Sequence, residues 1–143
     1  MVLRIFETKA LKDRKILLRV DFNVPMDGDS VSDTTRIAAH IPTIQSLCRA
    51  GAKVALVSHF GRPKGARSDE FSLRRILSTV ENVLQMKVIF VDDCVGDIVA
   101  ATMDTLPNGA AVLLENVRFH KEEQLNDERF ASQTTVTFQA LAD

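Results

Sequence analysis

Polar side chains with a clear capacity for chemistry lie at the ends of short apolar runs in this sequence. Asp21 and Asn23 close the first run, His59 and the glycine-rich residues 61–67 follow the second, and Arg118 follows the fourth. Arginine presents paired N–H donors that match carboxylate and phosphate oxygens. Glycine lets backbone N–H groups approach an anion closely. Together these residue types predict a binding site for a small, highly anionic, phosphorylated molecule.

Each candidate also has an ordinary structural interpretation. Asp21 could pair with an arginine for structure while still touching a ligand hydroxyl, and His59 could hydrogen-bond its own loop. Arg36 opens a helix, where sequence alone favours a side chain in water. Arg62 belongs to a basic loop that could be merely solvated, although its position after a strand favours binding. His40 lies on a helix with no sign of a partner, so we interpret it as structural.

Nucleotide and metal motifs are missing from the pattern. The sequence contains neither a Walker motif nor G-x-G-x-x-G, which argues against a nucleotide site in this chain. Cys48 and Cys94 form no C-x-x-C or Cys/His cluster in the sequence and lie in apolar helical patterns. We therefore predict that both are inert core residues and that the chain has no metal site. The role of His120 stays open.

The alternation of apolar runs and amphipathic stretches predicts an α/β fold with three αβα layers and a parallel, Rossmann-like sheet. Right-handed crossovers would bring the strand ends to one edge, where ligands bind in such sheets. Pro42 should kink or split the first helix, and Ser72 should cap the second. The predicted strands are residues 16–22, 54–57, 87–91 and 111–114; the predicted helices are 37–48, 72–84, 94–105 and one capped by Asn126; the predicted loops are 26–32, 58–69 and 107–109.

Composition restricts the class of protein. A length of 143 residues is typical of one domain, and a net charge of −1 disfavours a nucleic-acid or membrane-surface protein. Two cysteines suit a reducing compartment better than a disulfide framework. Neither a signal peptide nor an apolar stretch long enough to span a bilayer is evident. We therefore expect a cytoplasmic protein.

Four segments at the predicted rim resemble the signature of the phosphoglycerate kinase family. They occur in the family's order and at its spacing, and the resemblance extends to Ala131. The four segments are residues 18–25 (LRVDFNVP), 33–37 (DTTRI), 58–65 (SHFGRPKG) and 114–119 (LENVRF).

The resemblance implies reversible phosphoryl transfer between 1,3-bisphosphoglycerate and ADP, giving 3-phosphoglycerate and ATP, a step of glycolysis. An N-terminal domain would bind the phosphoglycerate, and a separate C-terminal domain would bind ATP or ADP with Mg²⁺. Arg36 resembles the arginine that meets the transferring phosphoryl group, which makes it the catalytic candidate. The residues matched to the family's phosphoglycerate site are Asp21, Asn23, Arg36, His59, Arg62 and Arg118.

The sequence also departs from the family pattern. It stops at Asp143, so we expect residues 1–143 to be a partial phosphoglycerate-binding N-terminal domain, without the nucleotide domain and inactive alone. Residues 134–138 (TTVTF) are β-branched where the family has a helix. We expect the ending to leave the first strand at the sheet edge and to promote self-association, although the full-length protein would be a monomer.

Two other functions are compatible with these residues. The chain could be a stand-alone module that binds phosphate or carboxylate without catalysis. It could also be a degenerate remnant with no ligand, but Arg36, Arg62 and Arg118 argue against that, since a remnant has no physical need for converging arginines.

Overall fold

A five-stranded, wholly parallel sheet forms the centre of the molecule. The structure is a computed structural model that describes residues 11–120 and 140–142. The sheet strands are β1 (Lys15–Arg19), β4 (Lys53–Val57), β5 (Val88–Val91), β6 (Ala111–Leu114) and β7 (Ala140–Ala142). Their spatial order is β5-β6-β4-β1-β7. The predicted α/β fold is therefore confirmed.

The inner strands are apolar on both faces because helices cover both faces of the sheet. Val54, Ala55 and Leu56 of β4 are all fully buried, as are the four residues of β6. Parallel sheets of this kind require such continuous apolar runs. The side chains separate into two cores, one on each face, which confirms the three-layer arrangement.

Helices α1 (Thr35–Ala39), α2 (Ile41–Arg49) and α3 (Leu77–Leu84) contribute to one core, and α4 (Asp97–Thr105) contributes to the other. The predicted break at Pro42 is confirmed, because α1 ends before this residue and α2 begins beside it. Proline is tolerated in a first turn, where its missing N–H would have no helical acceptor. Arg36 consequently lies on a short, separate helix.

The segments before α3 and α4 are less regular than the sequence predicts. The Ser72 hydroxyl accepts from the Arg74 N–H as predicted, but it caps a 3₁₀ turn (Leu73–Ile76) that leads into α3. Helix α4 begins at Asp97, later than predicted, because the Asp93 carboxylate accepts the N–H groups of Cys94 and Val95 and holds them outside the helix.

One prediction about the chain path is refined and another is wrong. Residues 26–32, predicted to be a loop or turn, form a small antiparallel hairpin of β2 (Met26–Asp27) and β3 (Ser30–Val31) around a turn. Strand β1 is not at the sheet edge, because β7 pairs with it in parallel on the side away from β4. The predictions for Asn126 and for residues 134–138 lie outside the described residues.

Candidate functional site

The carboxyl ends of β1, β4 and β6 lie side by side, because these strands are direct neighbours in the sheet. The loops that follow them therefore meet at one edge, as the predicted topology requires. Residues 20–25, 58–71 and 115–120 make up these three loops.

Arg36 is held against the loop after β1. Its Nη1 donates to the Asn23 carbonyl at 2.7 Å and lies 3.6 Å from Asp21 Oδ1. The Asn23 N–H in turn donates to the same Asp21 oxygen at 3.2 Å. The Arg36 side chain stays 55% exposed, and both of these contacts involve its Nη1. Asp21, Asn23 and Arg36 are thus brought together as predicted, with cationic donors left for an anion.

A shallow pocket of about 430 Å³ opens beside this cluster. Asp33, which the sequence analysis did not assign to the site, lines it together with Asn23, Pro25 and Arg36. Asp33 accepts from the Thr35 hydroxyl at 2.6 Å and from the Thr35 N–H at 2.8 Å, and these bonds lower its pKa. The Asp33 carboxylate therefore organises the turn that presents Arg36. An acidic residue two positions before a helix start was the available signal.

Gly61 joins the loops after β1 and β6. Its N–H donates to Asn23 Oδ1 at 3.0 Å, and its carbonyl accepts from Arg118 Nη1 at 3.2 Å. Its φ is +62°, and a Cβ at this position would overlap the Phe71 ring. Glycine is therefore needed here for both conformation and space. Arg118 is linked to the cluster through this backbone.

Asn116 holds the base of the site and is fully buried. Its side-chain nitrogen donates to the carbonyls of Phe60 at 2.6 Å and Phe71 at 2.9 Å, and its oxygen accepts from the N–H groups of Phe60 and Arg118. One amide thus fixes both the glycine-rich loop and the turn that carries Arg118. This role of Asn116 was not predicted from the sequence.

Glu115, also buried, performs a similar task on the other side of this turn. Its carboxylate accepts from the Ser72 hydroxyl at 2.6 Å, the Leu73 N–H at 2.9 Å and the Asn116 N–H at 2.8 Å. These bonds compensate for the cost of burying a charged group. They also attach the start of the α3 segment to the end of β6.

His40 positions the loop after β1. Its Nε2 accepts from the Asp21 N–H at 3.0 Å, and its ring packs edge-on against Phe22 with centroids 5.7 Å apart. Burial lowers the pKa of His40, and the charge of Asp21 opposes this shift only in part. A neutral ring is needed to accept the hydrogen bond. His40 thus has a hydrogen-bond partner that the sequence did not indicate.

The remaining predicted residues lie on the glycine-rich loop. His59 is half-buried, and Arg62 is exposed and makes no hydrogen bond or ion pair within residues 11–120. Arg67, further along, is engaged with Asp92 through donor distances of 2.9 and 2.6 Å. This hydrogen bonding raises the pKa of Arg67. Part of the basic loop therefore has a structural role.

Three potential metal ligands that are distant in the sequence lie close together in the fold. Asp93, Cys94 and His120 place one potential ligand atom each within 4.8 Å of the others. The sequence showed no Cys/His cluster because 26 positions separate Cys94 from His120. The loops after β5 and β6 bring them together in the fold.

Within the described residues, no helix has the length and apolar character needed to cross a membrane.

The doubly covered parallel sheet, with arginines and backbone N–H groups at the strands' carboxyl ends, defines an α/β protein with a basic rim at one edge of the sheet. Comparison with known proteins identifies the family within this class. Residues 6–142 match the family model described as phosphoglycerate kinase. The chain therefore belongs to the phosphoglycerate kinase family.

Individual relatives agree with this assignment. The chain is 47% identical over 130 residues to the phosphoglycerate kinase of Brucella melitensis, covering 91% of this chain and 33% of the relative. It is 50% identical over 124 residues to that of Acaryochloris marina, covering 86% and 31%. The chain thus spans about a third of the length of these relatives.

Solved structures show the same fold. The phosphoglycerate kinase from Coxiella burnetii superposes with a TM-score of 0.70 at 33% identity, covering 87% of this chain and 31% of that one. The enzyme from Pyrococcus horikoshii gives 0.71 at 30% identity, covering 79% and 27%.

Proposed function

We propose that this chain is the phosphoglycerate-binding part of a phosphoglycerate kinase. The observation that carries the proposal is the Arg36 guanidinium, which is oriented by Asp21 and the Asn23 carbonyl yet remains open to a pocket. A carboxylate and a carbonyl fix one side of the guanidinium. Its other donors are free to bind phosphate or carboxylate oxygens in pairs.

The proposed substrate is 3-phosphoglycerate or 1,3-bisphosphoglycerate, and the reaction is reversible phosphoryl transfer to ADP. Arg36 would be the catalytic residue, neutralising charge on the transferring group. Such an arginine is worth about a thousandfold or more in rate. Asp21 and Asn23 would bind on one side of the substrate and the glycine-rich loop on the other. The full set proposed for substrate binding is Asp21, Asn23, Arg36, His59, Arg62 and Arg118.

Mg²⁺ and ATP or ADP are proposed to bind a separate nucleotide domain. The carboxylates at the described pocket do not fit a Mg²⁺ ion, because Asp21 is engaged by Arg36 and Asp33 by Thr35. Mg²⁺ needs carboxylates that can face the ion. Residues 1–143 would thus supply the phosphoglycerate half and would not turn over alone.

The other proposed properties follow from the same function. We expect a small-molecule substrate and neither nucleic acid nor membrane as partners, a monomeric full-length protein and a cytoplasmic location. Burial raises the pKa of Cys48 to about 11, so this cysteine stays a protonated, unreactive thiol, as suits a reducing compartment.

Titration with 3-phosphoglycerate, followed by backbone amide NMR, tests the proposal. We expect shifts concentrated at Asp21, Asn23, Arg36, residues 59–62 and Arg118. Shifts elsewhere, or none in a well-dispersed spectrum, would contradict a substrate site formed by this chain. Inorganic phosphate at matched ionic strength separates specific binding from simple charge attraction.

Arg36→Lys provides the sharper variant, because lysine keeps the charge but loses the paired donors. We expect binding to weaken at least about tenfold with unchanged thermal stability, and turnover to fall further still in a chain that includes the nucleotide domain. Arg49→Lys is the matched control. Helix α2 ends at Arg49 just before β4 begins, so this residue lies near the amino ends of the strands and away from their carboxyl ends. Equal effects of both variants would indicate nonspecific attraction.

A further inference from the structure

Asp93, Cys94 and His120 converge outside the phosphoglycerate site. Asp93 Oδ1 lies 2.9 Å from His120 Nε2, and all three potential ligand atoms lie within 4.8 Å of one another. They come from two segments, the loop after β5 and the turn after β6. A thiol, an imidazole and a carboxylate from separate segments thus lie close enough together to be considered as ligands of one metal ion.

The fold holds these groups firmly. The Asp93 carboxylate accepts the Cys94 N–H at 2.7 Å, which fixes the loop that leads into α4. Cys94 is 1% exposed and packs in the core beneath α4 with residues such as Val117. The His120 N–H donates to the Val117 carbonyl at 3.2 Å, which anchors the backbone of the turn. Little rearrangement is therefore needed to direct three donor atoms at one point.

Sulfur, imidazole nitrogen and carboxylate oxygen together form a typical ligand set for zinc. With zinc bonds of about 2.0–2.3 Å, ligand atoms in a tetrahedral site lie about 3.3–3.6 Å apart. An upper limit of 4.8 Å means that small side-chain rotations would reach that geometry. Harder cations such as Mg²⁺ prefer a set made only of oxygens.

We propose that Asp93, Cys94 and His120 form a three-ligand site for a zinc-class divalent ion, with water as the fourth ligand. On binding, the Cys94 thiol proton leaves to solvent. His120 would bind through Nε2 as the neutral tautomer with its proton on Nδ1, so the ion takes the place of the His120–Asp93 hydrogen bond. The ion would connect the loop after β5 to the turn that carries Arg118. Metal binding would then stabilise one wall of the phosphoglycerate site.

Cobalt(II) titration of the full 143-residue chain, under a non-chelating reductant, tests the site. We expect one equivalent to produce a thiolate-to-cobalt charge-transfer band in the near ultraviolet. Zinc should remove the band at equal concentration, whereas a hundredfold excess of Mg²⁺ should leave it. Because the sequence has only two cysteines, Cys48→Ser is the matched control and should keep the band, and Cys94→Ser should lose it.

His120→Gln covers the case in which the Cys94 variant does not fold. His120 is only half-buried, so this variant should fold. Because loss of a residue that merely supports a ligand costs about tenfold or more in metal affinity, loss of a direct ligand should weaken cobalt binding by at least about tenfold. The proposal is overturned if the wild-type chain shows no thiolate band. It is also overturned if the band depends on Cys48, or if His120→Gln binds cobalt as tightly as the wild type.

Discussion

At the scale of single residues, the candidate site is held together by backbone atoms of neighbouring loops. Arg36 binds the Asn23 carbonyl, the Asn23 side chain binds the Gly61 N–H, and Arg118 binds the Gly61 carbonyl. Because each loop fixes the next, a substitution at Gly61 should disturb residues on both sides of it. The same reasoning applies to His40, which fixes the Asp21 backbone.

Gly61→Ala should be markedly destabilising. Its φ of +62° costs an alanine about 1–2 kcal/mol, and overlap with the Phe71 ring should add about 1–3 kcal/mol. The matched control is Gly28→Ala, which has a φ of +61° with no atom within 4 Å of the added Cβ. Urea unfolding should show a clearly larger loss for Gly61→Ala. Equal losses would mean that Phe71 gives way without cost.

His40 should make stability depend on pH in the mildly acid range. Its folded pKa lies below the ordinary value of about 6.5. As pH falls below that value, the unfolded chain takes up a proton that the folded chain resists, so the free energy of unfolding decreases. At neutral pH and above, both states are neutral at this position and the contribution is constant.

Comparison with His40→Gln isolates this effect, since glutamine can accept the Asp21 N–H bond but does not titrate. Urea unfolding from about pH 7.5 to pH 5 should give a steeper decline for the wild type than for the variant. Every other group is the same in both proteins, so its contribution cancels in the difference. Parallel declines would show that His40 titrates normally in the folded state.

At the scale of elements, the two residues that follow β6 hold the loops of the site in place more than any helix does. Residues 115 and 116 are both buried and polar. Glu115 binds the segment that leads into α3, and Asn116 binds the glycine-rich loop after β4. The short α1 has a narrower task, which is to present Arg36. Three separate loops are therefore coupled through the end of one strand.

Asn116→Ala should lower the free energy of unfolding by roughly 2–4 kcal/mol, because it leaves the buried Phe60 carbonyl and the partly buried Phe71 carbonyl without this partner. Asn82→Ala, at an exposed position on α3, should change stability by no more than about 0.5 kcal/mol. Thermal and urea unfolding measure both. A mild effect of Asn116→Ala would mean that water replaces the amide, and that the loops are coupled by other contacts.

At the scale of the whole molecule, the strands of the described residues place β5 and β7 at the two edges of the sheet and β1 inside. Pairing of Ile16 through Leu18 with Ala140 through Ala142 covers the edge that was predicted to be open. The expected self-association stays a prediction, but it now concerns β7, since its outer side pairs with no strand within the described residues and an open edge could pair with another chain.

Removal of residues 140–143 should expose β1 and increase self-association. Strand β1 is apolar at its centre, and an exposed apolar strand edge favours pairing between chains. Removal of Asp143 alone is the matched control, because β7 ends at Ala142. Multi-angle light scattering over a concentration series should show a larger mass only for the longer deletion. Identical masses would show that β7 contributes little to protecting β1.

The positions of the main elements were predictable from sequence because they depend on local physics. The predicted strands overlap the observed ones, since buried parallel strands need unbroken apolar runs. The break at Pro42 follows from its missing N–H, and the cap at Ser72 follows from its side-chain oxygen. The hairpin formed by β2 and β3 was missed because strands of two residues are too short to show an alternating pattern.

The candidate site was predictable in its residue types but not in its contacts. Sequence by itself determined the order of elements, the sheet edge at which ligands would bind, and the presence of Arg36 there. Only the tertiary structure decided that β7 pairs with β1, that His40 supports Asp21, and that Cys94 meets His120. The physical reason is separation along the chain: local preferences act within a few residues, whereas these contacts exist only once packing brings distant segments together.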